Sequence, residues 1–271
     1  MKSLFVGVGL RPDHYSYLLE KPKIHSNWFE VITENFLYSE GNPKRILNEI
    51  SKDYPVSFHG VSLNLGSYEP LDKDYLKRAK LLFDECNPYL ISDHLCWTGQ
   101  SENQLHNLLP LPYTNDTLDH LVARISYYQE YIGREISIEN LSAYVDFEGN
   151  DFTEWDFLAE LSKRSGCKIL LDINNIFVNS QNYGFNPLDY LDAIPISQVS
   201  EIHLAGHTDM GEFLFDTHST PVCSQVWKLL KYKWKESLDI PVLIEWDEDI
   251  PEFSILEEEV LKAKKIGEEL L

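Results

Sequence analysis

Short apolar, β-branched runs alternate along this chain with segments whose apolar residues recur every three to four positions. The first kind predicts buried strands and the second amphipathic helices. Strands are expected at Leu4–Gly9, Trp28–Ile32, Pro55–Gly60, Tyr89–His94, Glu135–Glu139, Lys168–Asp172, Val199–His203 and Pro241–Glu245. Helices are expected around Tyr15–Glu20, over Lys44–Lys52 (opened by Pro43), from about Asp74 to Cys86, over Asp116–Ile132, near Trp155–Arg164, near Pro187–Ala193, and over Val226–Glu236 and Ile255–Leu270. In Asp116–Ile132 the residues Leu118, Leu121, Val122 and Ile125 form one stripe. The main irregular excursion is expected at Gly99–Pro112. Eight strands alternating with about eight helices predict a parallel sheet with crossover helices, closed as an α/β, (β/α)8 TIM barrel that takes up residues 1–271 as a single domain. A doubly wound open sheet is the alternative; no GxGxxG follows the first strand, which weakens a dinucleotide fold.

Composition narrows the class. The chain has 271 residues, 43% of them hydrophobic, enough for one large core. No apolar run approaches the ~20 residues of a membrane span, and MKSLFVGVGLRPDHY reads as a first strand, not a signal peptide. With 23 Lys and Arg against 44 Asp and Glu the formal charge is −21. That balance opposes nucleic-acid binding and suits uptake of cations or of a basic partner. Cys86, Cys96, Cys167 and Cys223 are scattered without a CxxC and read as thiols of a reducing cytoplasm.

Six predicted strands end on a ligand-type side chain: His59, His94, Glu139, Asp172, His203 and Glu245. One such ending reads as a hydrogen-bonded core histidine or a helix cap. Six in register meet at the C-terminal rim of a barrel, where active sites sit. Three carboxylates converging there would raise one another's pKa, and cations would remove that penalty. Asn175, His207, Asp216 and His218 are placed in loops above the rim, the last two as an Asp-x-His pair with both side chains on one side of an extended segment. Imidazole and carboxylate without thiolate suit iron, zinc or manganese more than magnesium or calcium. Arg11 and His14 after the first strand, and Glu34 and Asn35 after the second, are candidates for substrate contact. Asn140 is expected to orient Glu139, and Asp93 to point away from the interior in a structural role. His25, His106 and His120 read as surface or packing residues, Cys96 as a buried thiol, and KYKWK (Lys231–Lys235) as a solvated helix face. On the donors alone, a phosphoester hydrolase, a sugar isomerase and a non-catalytic metal-binding protein all stay open.

The stretches GVGLRPDHY, WFEVITENF, SFHGVSLNLGS, SDHLCW, SIENLSAY, LLDINNIFVN, EIHLAGH, FDTHS and VLIEWD resemble the signatures of the DUF692 family, the multinuclear non-haem iron-dependent oxidases that include the enzymes of methanobactin biosynthesis. The resemblance runs from about Val6 to Asp247. That family is similar in turn to xylose-isomerase-like barrels, among them trinuclear zinc endonucleases. The resemblance implies that His59, His94 and Glu139 hold one metal, and that Glu139 bridges to a second held by Asp172, His203 and Glu245. A third would take Asp216 and His218, with His207 and either Asn175 or Asn174 as partners, the three-residue offset from Asp172 favouring Asn175. The related endonucleases carry histidine where this chain has Asn175, and an amide oxygen is the weaker ligand. It further implies two or three iron ions in mixed valence, with zinc or manganese possible as purified. The implied reaction is oxidation by O2 of a cysteine in a ribosomally made precursor peptide, presented by a separate protein.

Overall fold

A computed structural model describes residues 4–100 and 103–271, apart from the side chains of Gln104 and His106, so the expectation for His106 lies outside the described residues. The strands are β1 (Val6–Gly9), β2 (Phe29–Ile32), β3 (Val56–Gly60), β4 (Ile91–His94), β5 (Trp97–Gln100), β6 (Asn103–Leu109), β7 (Ser137–Glu139), β8 (Lys168–Asp172), β9 (Val199–Leu204), β10 (Thr208–Asp209), β11 (Leu214–Phe215) and β12 (Val242–Ile244). Eight of them, all predicted, form a closed parallel barrel in the order β1-β12-β9-β8-β7-β4-β3-β2. The open sheet is thereby excluded: β1 and β12 pair in register, Val6 opposite Val242.

The helices α1 (Tyr15–Leu19), α2 (Glu34–Leu37), α3 (Asn42–Ile50), α4 (Lys73–Cys86), α5 (Asn115–Ile132), α6 (Glu154–Ser165), α7 (Ile173–Tyr183), α8 (Pro187–Ala193), α9 (Ser224–Trp234) and α10 (Phe253–Leu270) wrap the barrel. Their apolar stripes bury against the outer faces of the strands. Leu118, Leu121 and Ile125 of the predicted α5 stripe are buried, and Val122 packs at its margin. Polar side chains fix where the helices begin: Asp72 accepts from Asp74 N and Tyr75 N, Thr114 from Thr117 N, and Thr153 from Asp156 N. Each such cap contributes about 1 kcal/mol.

Three expectations are corrected here. The irregular excursion at Gly99–Pro112 is instead built around an antiparallel hairpin of β5 with β6. The segment after Asp172, read as loop, is the helix α7, so Asn175 sits in a first helical turn. Its sequence, INNIFVNSQNY, is asparagine-rich and of low helix propensity, but Asn175 and Asn179 donate to the carbonyls of Asn140 and Leu141, so tertiary bonds replace the solvent that usually draws asparagine to loops. Finally, KYKWK is not wholly a solvated face. Lys233 is only 1% exposed, and its Nζ donates to Leu191 O and Ile194 O at 2.7 Å each and to Glu236. It closes the carbonyl end of α8, a task invisible in the charge pattern.

Candidate metal centre

Parallel register brings the strand ends level, and the six predicted donors come from six consecutive staves of the barrel, β3, β4, β7, β8, β9 and the end of β12. His94 stands opposite Glu139, and Asp172 opposite His203. Two groups of donors result, His59 with His94 and Glu139, and Glu139 with Asp172, His203 and Glu245; within each, one ligand atom per residue lies within 4.8 Å of the others. All six residues are buried. His59, His94, Glu139 and Glu245 line the floor of a cavity of about 510 Å³ that opens between Leu109, Ser142, Tyr144, Val145 and Phe215.

The hydrogen bonds around the first group decide which atoms face inward. His94 Nδ1–H donates to Gly60 O at 2.9 Å, so its Nε2 is left bare; His59 Nδ1 is bonded to Ser92 Oγ at 2.8 Å. The two Nε2 atoms lie 3.2 Å apart, and Glu139 Oε2 lies 3.1 and 3.2 Å from them. A cation held between these three atoms would relieve their close approach. Ligand edges of roughly 3.3 Å are what a tetrahedral ion with ~2.0–2.1 Å bonds requires. Backbone shape supports the arrangement: a Cβ on Gly60 would stand 2.2 Å from Asp93 Oδ2, so only glycine lets that carboxylate accept from His94 N and Leu63 N. Asp93 thus has the structural role expected of it.

Electrostatics gives the same picture. Burial pushes the Asp172 carboxyl well above its ordinary range, and the charges of Glu139 and Asp216 push it further. Burial lowers His94 to about 4. Against that same desolvation, Glu30 and Glu139 hold His59 up to about 10, and Glu30 and Glu245 hold His203 well above 6.5. Two carboxylates 4 Å apart repel by about 4 kcal/mol at an effective dielectric of 20. Buried oxygens with no hydrogen-bond partner add to the cost: Asp172 Oδ2 and Asn175 Oδ1 are both of this kind. A cation would satisfy each of these atoms, so the donor set fits metal ions of the iron, zinc and manganese type.

The outer candidates divide. His218 Nε2 lies 2.7 Å from Asp216 Oδ1, and its Nδ1 lies 3.1 Å from Asp247 Oδ2 and 3.3 Å from Glu245 Oε2. His218 has φ 47°, a left-handed conformation uncommon for a side chain this size, held by Asp247 N donating to His218 O. Asn175 presents its bare Oδ1 to the cavity, while Asn174 donates to Asp216 and bonds His207 Nδ1 at 2.9 Å. His207 leans on Phe177 and belongs to none of the converging groups among the described residues.

Asp247 was not singled out from the sequence, although Glu-Trp-Asp puts it two positions after Glu245, on the same side of an extended chain. Glu30 and Glu201, also not anticipated, meet His203 inside the barrel. Arg11 donates to Trp246 O and pairs with Asp247, and is not free for a ligand. Glu34 is similarly engaged, accepting from Val61 N, Ser62 N and the Tyr75 hydroxyl, while Asn35 is exposed. His14 is buried against Phe253 and bonded to Pro251 O. Asn140 bonds the backbone of Asp172 at both N and O, fixing that residue instead of Glu139.

The sequence profile of a family described as "RiPP precursor modification enzyme MbnB/TglH/ChrH" matches residues 5–268. The chain belongs to this family. Its relatives include UPF0276 proteins of Acaryochloris marina, 47% identical over 95% of this chain and 92% of the relative, and of Caulobacter vibrioides, 43% identical over 90% and 88%. Among solved structures it is similar to endonuclease IV from Thermus thermophilus (TM-score 0.65, 12% identity, 99% of this chain and 100% of that one). It is also similar to D-psicose 3-epimerase from Clostridium cellulolyticum (TM-score 0.61, 11% identity, 99% of both). These barrels share the xylose-isomerase-like fold. Members of the MbnB/TglH/ChrH family are modification enzymes of ribosomally made peptides, so the family implies a precursor peptide as substrate. No helix of the described residues is long and apolar enough to cross a membrane.

Proposed function

We propose that this member of the MbnB/TglH/ChrH family is a multinuclear non-haem iron-dependent oxidase that uses O2 to modify a cysteine of its precursor peptide. The observation that carries the reading is the position of Glu139. One carboxylate oxygen faces His59 and His94 at 3.1 and 3.2 Å, and the other faces His203 Nδ1 at 4.0 Å, so a single side chain belongs to both donor groups. His59, His94 and Glu139 would hold one ion, and Glu139, Asp172, His203 and Glu245 a second. Asn175, Asp216 and His218 would hold a third, with Asp247 beside it and His207 one layer further out, positioned through Asn174. Bound there, iron supplies thiolate activation and one-electron chemistry with O2.

The protein's own part is orientation and exclusion of water. Leu109, Val145 and Phe215 wall the cavity, which is wide enough for a cysteine with its flanking backbone. Tyr144, Phe213 and Phe215 pack edge-on or tilted against one another as an exposed apolar rim on its lip. Tyr144 also fixes the loop that carries Asp216, its hydroxyl accepting from Asp216 N at 2.8 Å. A separate presenting protein and a cytoplasmic setting are part of the proposal; the charge of −21 suits a basic precursor or presenter and not DNA.

Anaerobic purification, iron counting and O2 uptake with the cognate precursor test it. Turnover is expected only with iron, O2 and a cysteine-containing peptide. Full turnover with zinc in the absence of O2 would replace the oxidase by a hydrolase.

A further inference from the structure

Beneath the ring of donors, two more carboxylates approach a ligand histidine from its other side. Glu30 on β2 and Glu201 on β9 point into the barrel and are 2% and 0% exposed. His203 Nε2 lies 3.3 Å from Glu201 Oε1 and 3.4 Å from Glu30 Oε1. Its Nδ1 lies 3.0 Å from Glu245 Oε2, on the side of the cavity. Ser57 Oγ donates to Glu30 Oε2 at 3.0 Å, which fixes that carboxylate, while Glu201 Oε2 is buried without a partner.

A neutral imidazole has one N–H, and the nitrogen without it is the ligand. His94 donates Nδ1–H to a carbonyl and so presents Nε2, and His59, whose Nδ1 is bonded to a hydroxyl that can accept from it, presents Nε2 on the same side. At His203 the surroundings are reversed, with two carboxylates at Nε2. We propose that Glu201 and Glu30 are positioning residues that together hold His203 as the Nε2–H tautomer and present Nδ1 to an ion shared with Glu139, Asp172 and Glu245. The proposal rests on the reading of the rim as a metal centre. A carboxylate on the far nitrogen raises the basicity of a ligand imidazole and fixes its rotation. The geometry argues against a separate ion at Glu30 and Glu201. Such an ion would have to share one imidazole with the ion above it, and Ser57 Oγ already holds Glu30 Oε2.

The test uses the full chain loaded with zinc, which is diamagnetic, and labelled with nitrogen-15 at histidine. Two-bond proton–nitrogen correlation reads the tautomer of each ring. Nε2–H is expected for His203, with Nδ1 metal-bound, and the opposite for His59 and His94. Metal-bound Nε2 at His203 overturns the proposal. Zinc affinity, measured by chelator competition, is expected to fall ~10–100-fold at the central site in Glu201→Gln, and less in Glu30→Gln. Unchanged affinity in the double variant also overturns it. A wild-type chain that binds no zinc, manganese or iron would defeat the metal centre itself, an outcome distinct from a zinc-loaded chain with the wrong tautomer. If Glu201→Gln fails to fold, the wild-type tautomer and Glu30→Gln still decide the matter.

Discussion

Asp172 Oδ1 accepts the backbone N–H of Asn175 at 2.5 Å, while Asp172 Oδ2 and Asn175 Oδ1 are left buried and bare. One carboxylate therefore caps α7 and faces the donor cluster at once. Asparagine caps as well as aspartate does, so Asp172→Asn separates the two roles. Asp172→Asn is expected to raise the melting temperature of the metal-free protein at neutral pH, because folding no longer has to protonate this buried carboxyl or bury its charge. It is expected to abolish most of the stabilisation that added metal provides. Asp172→Ala loses the cap as well, about 1 kcal/mol. Melting curves with and without metal check both.

Asn175 and Asn174 are adjacent and differ in what they do. Asn175→Ala removes a bare inward oxygen and is expected to lower the metal count by up to one ion per chain while sparing the other two. Asn175→His replaces an amide by a better ligand and is expected to tighten the outermost ion by roughly tenfold, within the range that ligand-sphere changes produce. Asn174→Ala removes one bond each to Asp216 and His207, while Ser142 still holds Asp216, and is expected to weaken the same ion less than Asn175→Ala does. Metal analysis after graded chelation ranks the three.

Glu154 offers a pH prediction away from the donor cluster. Burial pushes its carboxyl up to about 7, with the Tyr190 hydroxyl and Asn179 opposing. The folded state thus holds a proton that the unfolded chain releases near 4.5. Stability from this group is full below about pH 4.5 and is lost as pH rises through about 7. Glu154→Gln is expected to flatten that decline and to stabilise the protein at pH 8 by on the order of 1–3 kcal/mol relative to wild type. Denaturant titrations at pH 5 and pH 8 measure the difference.

Lys233→Met would leave Leu191 O and Ile194 O without their donor. A loss of roughly 2–4 kcal/mol is expected, whereas Lys231→Ala and Lys235→Ala should stay within about 0.5 kcal/mol. Equal effects at the three positions would contradict the buried placement of Lys233.

Much of this was legible in the chain. Strand side chains alternate with period two and parallel strands end level, so a donor ending each apolar run projects the rim without coordinates. What escaped did so for physical reasons. Glu30 and Glu201 lie inside apolar strands, where a fully buried carboxylate is rare, although Glu201 alternates with His203 on one face in VSEIH. Helix α7 was hidden because the bonds that make its asparagines tolerable run to the loop that follows β7, which local propensity does not see. Lys233 needed the position of α8, and Arg11 the position of Asp247, before either could be placed.

The pairing of β1 with β12 also sets a timetable for the ions. The donors of the inner pair run from His59 to Glu245, and no short segment carries more than a fraction of them. During synthesis the central group stays incomplete until the last strand has emerged and closed the ring beside the first. Any metal held by this group would therefore arrive after folding instead of guiding it, unlike in zinc fingers, where the ion and the fold form together. Selection of such an ion would then rest with the donors and geometry of the finished barrel and not with the growing chain.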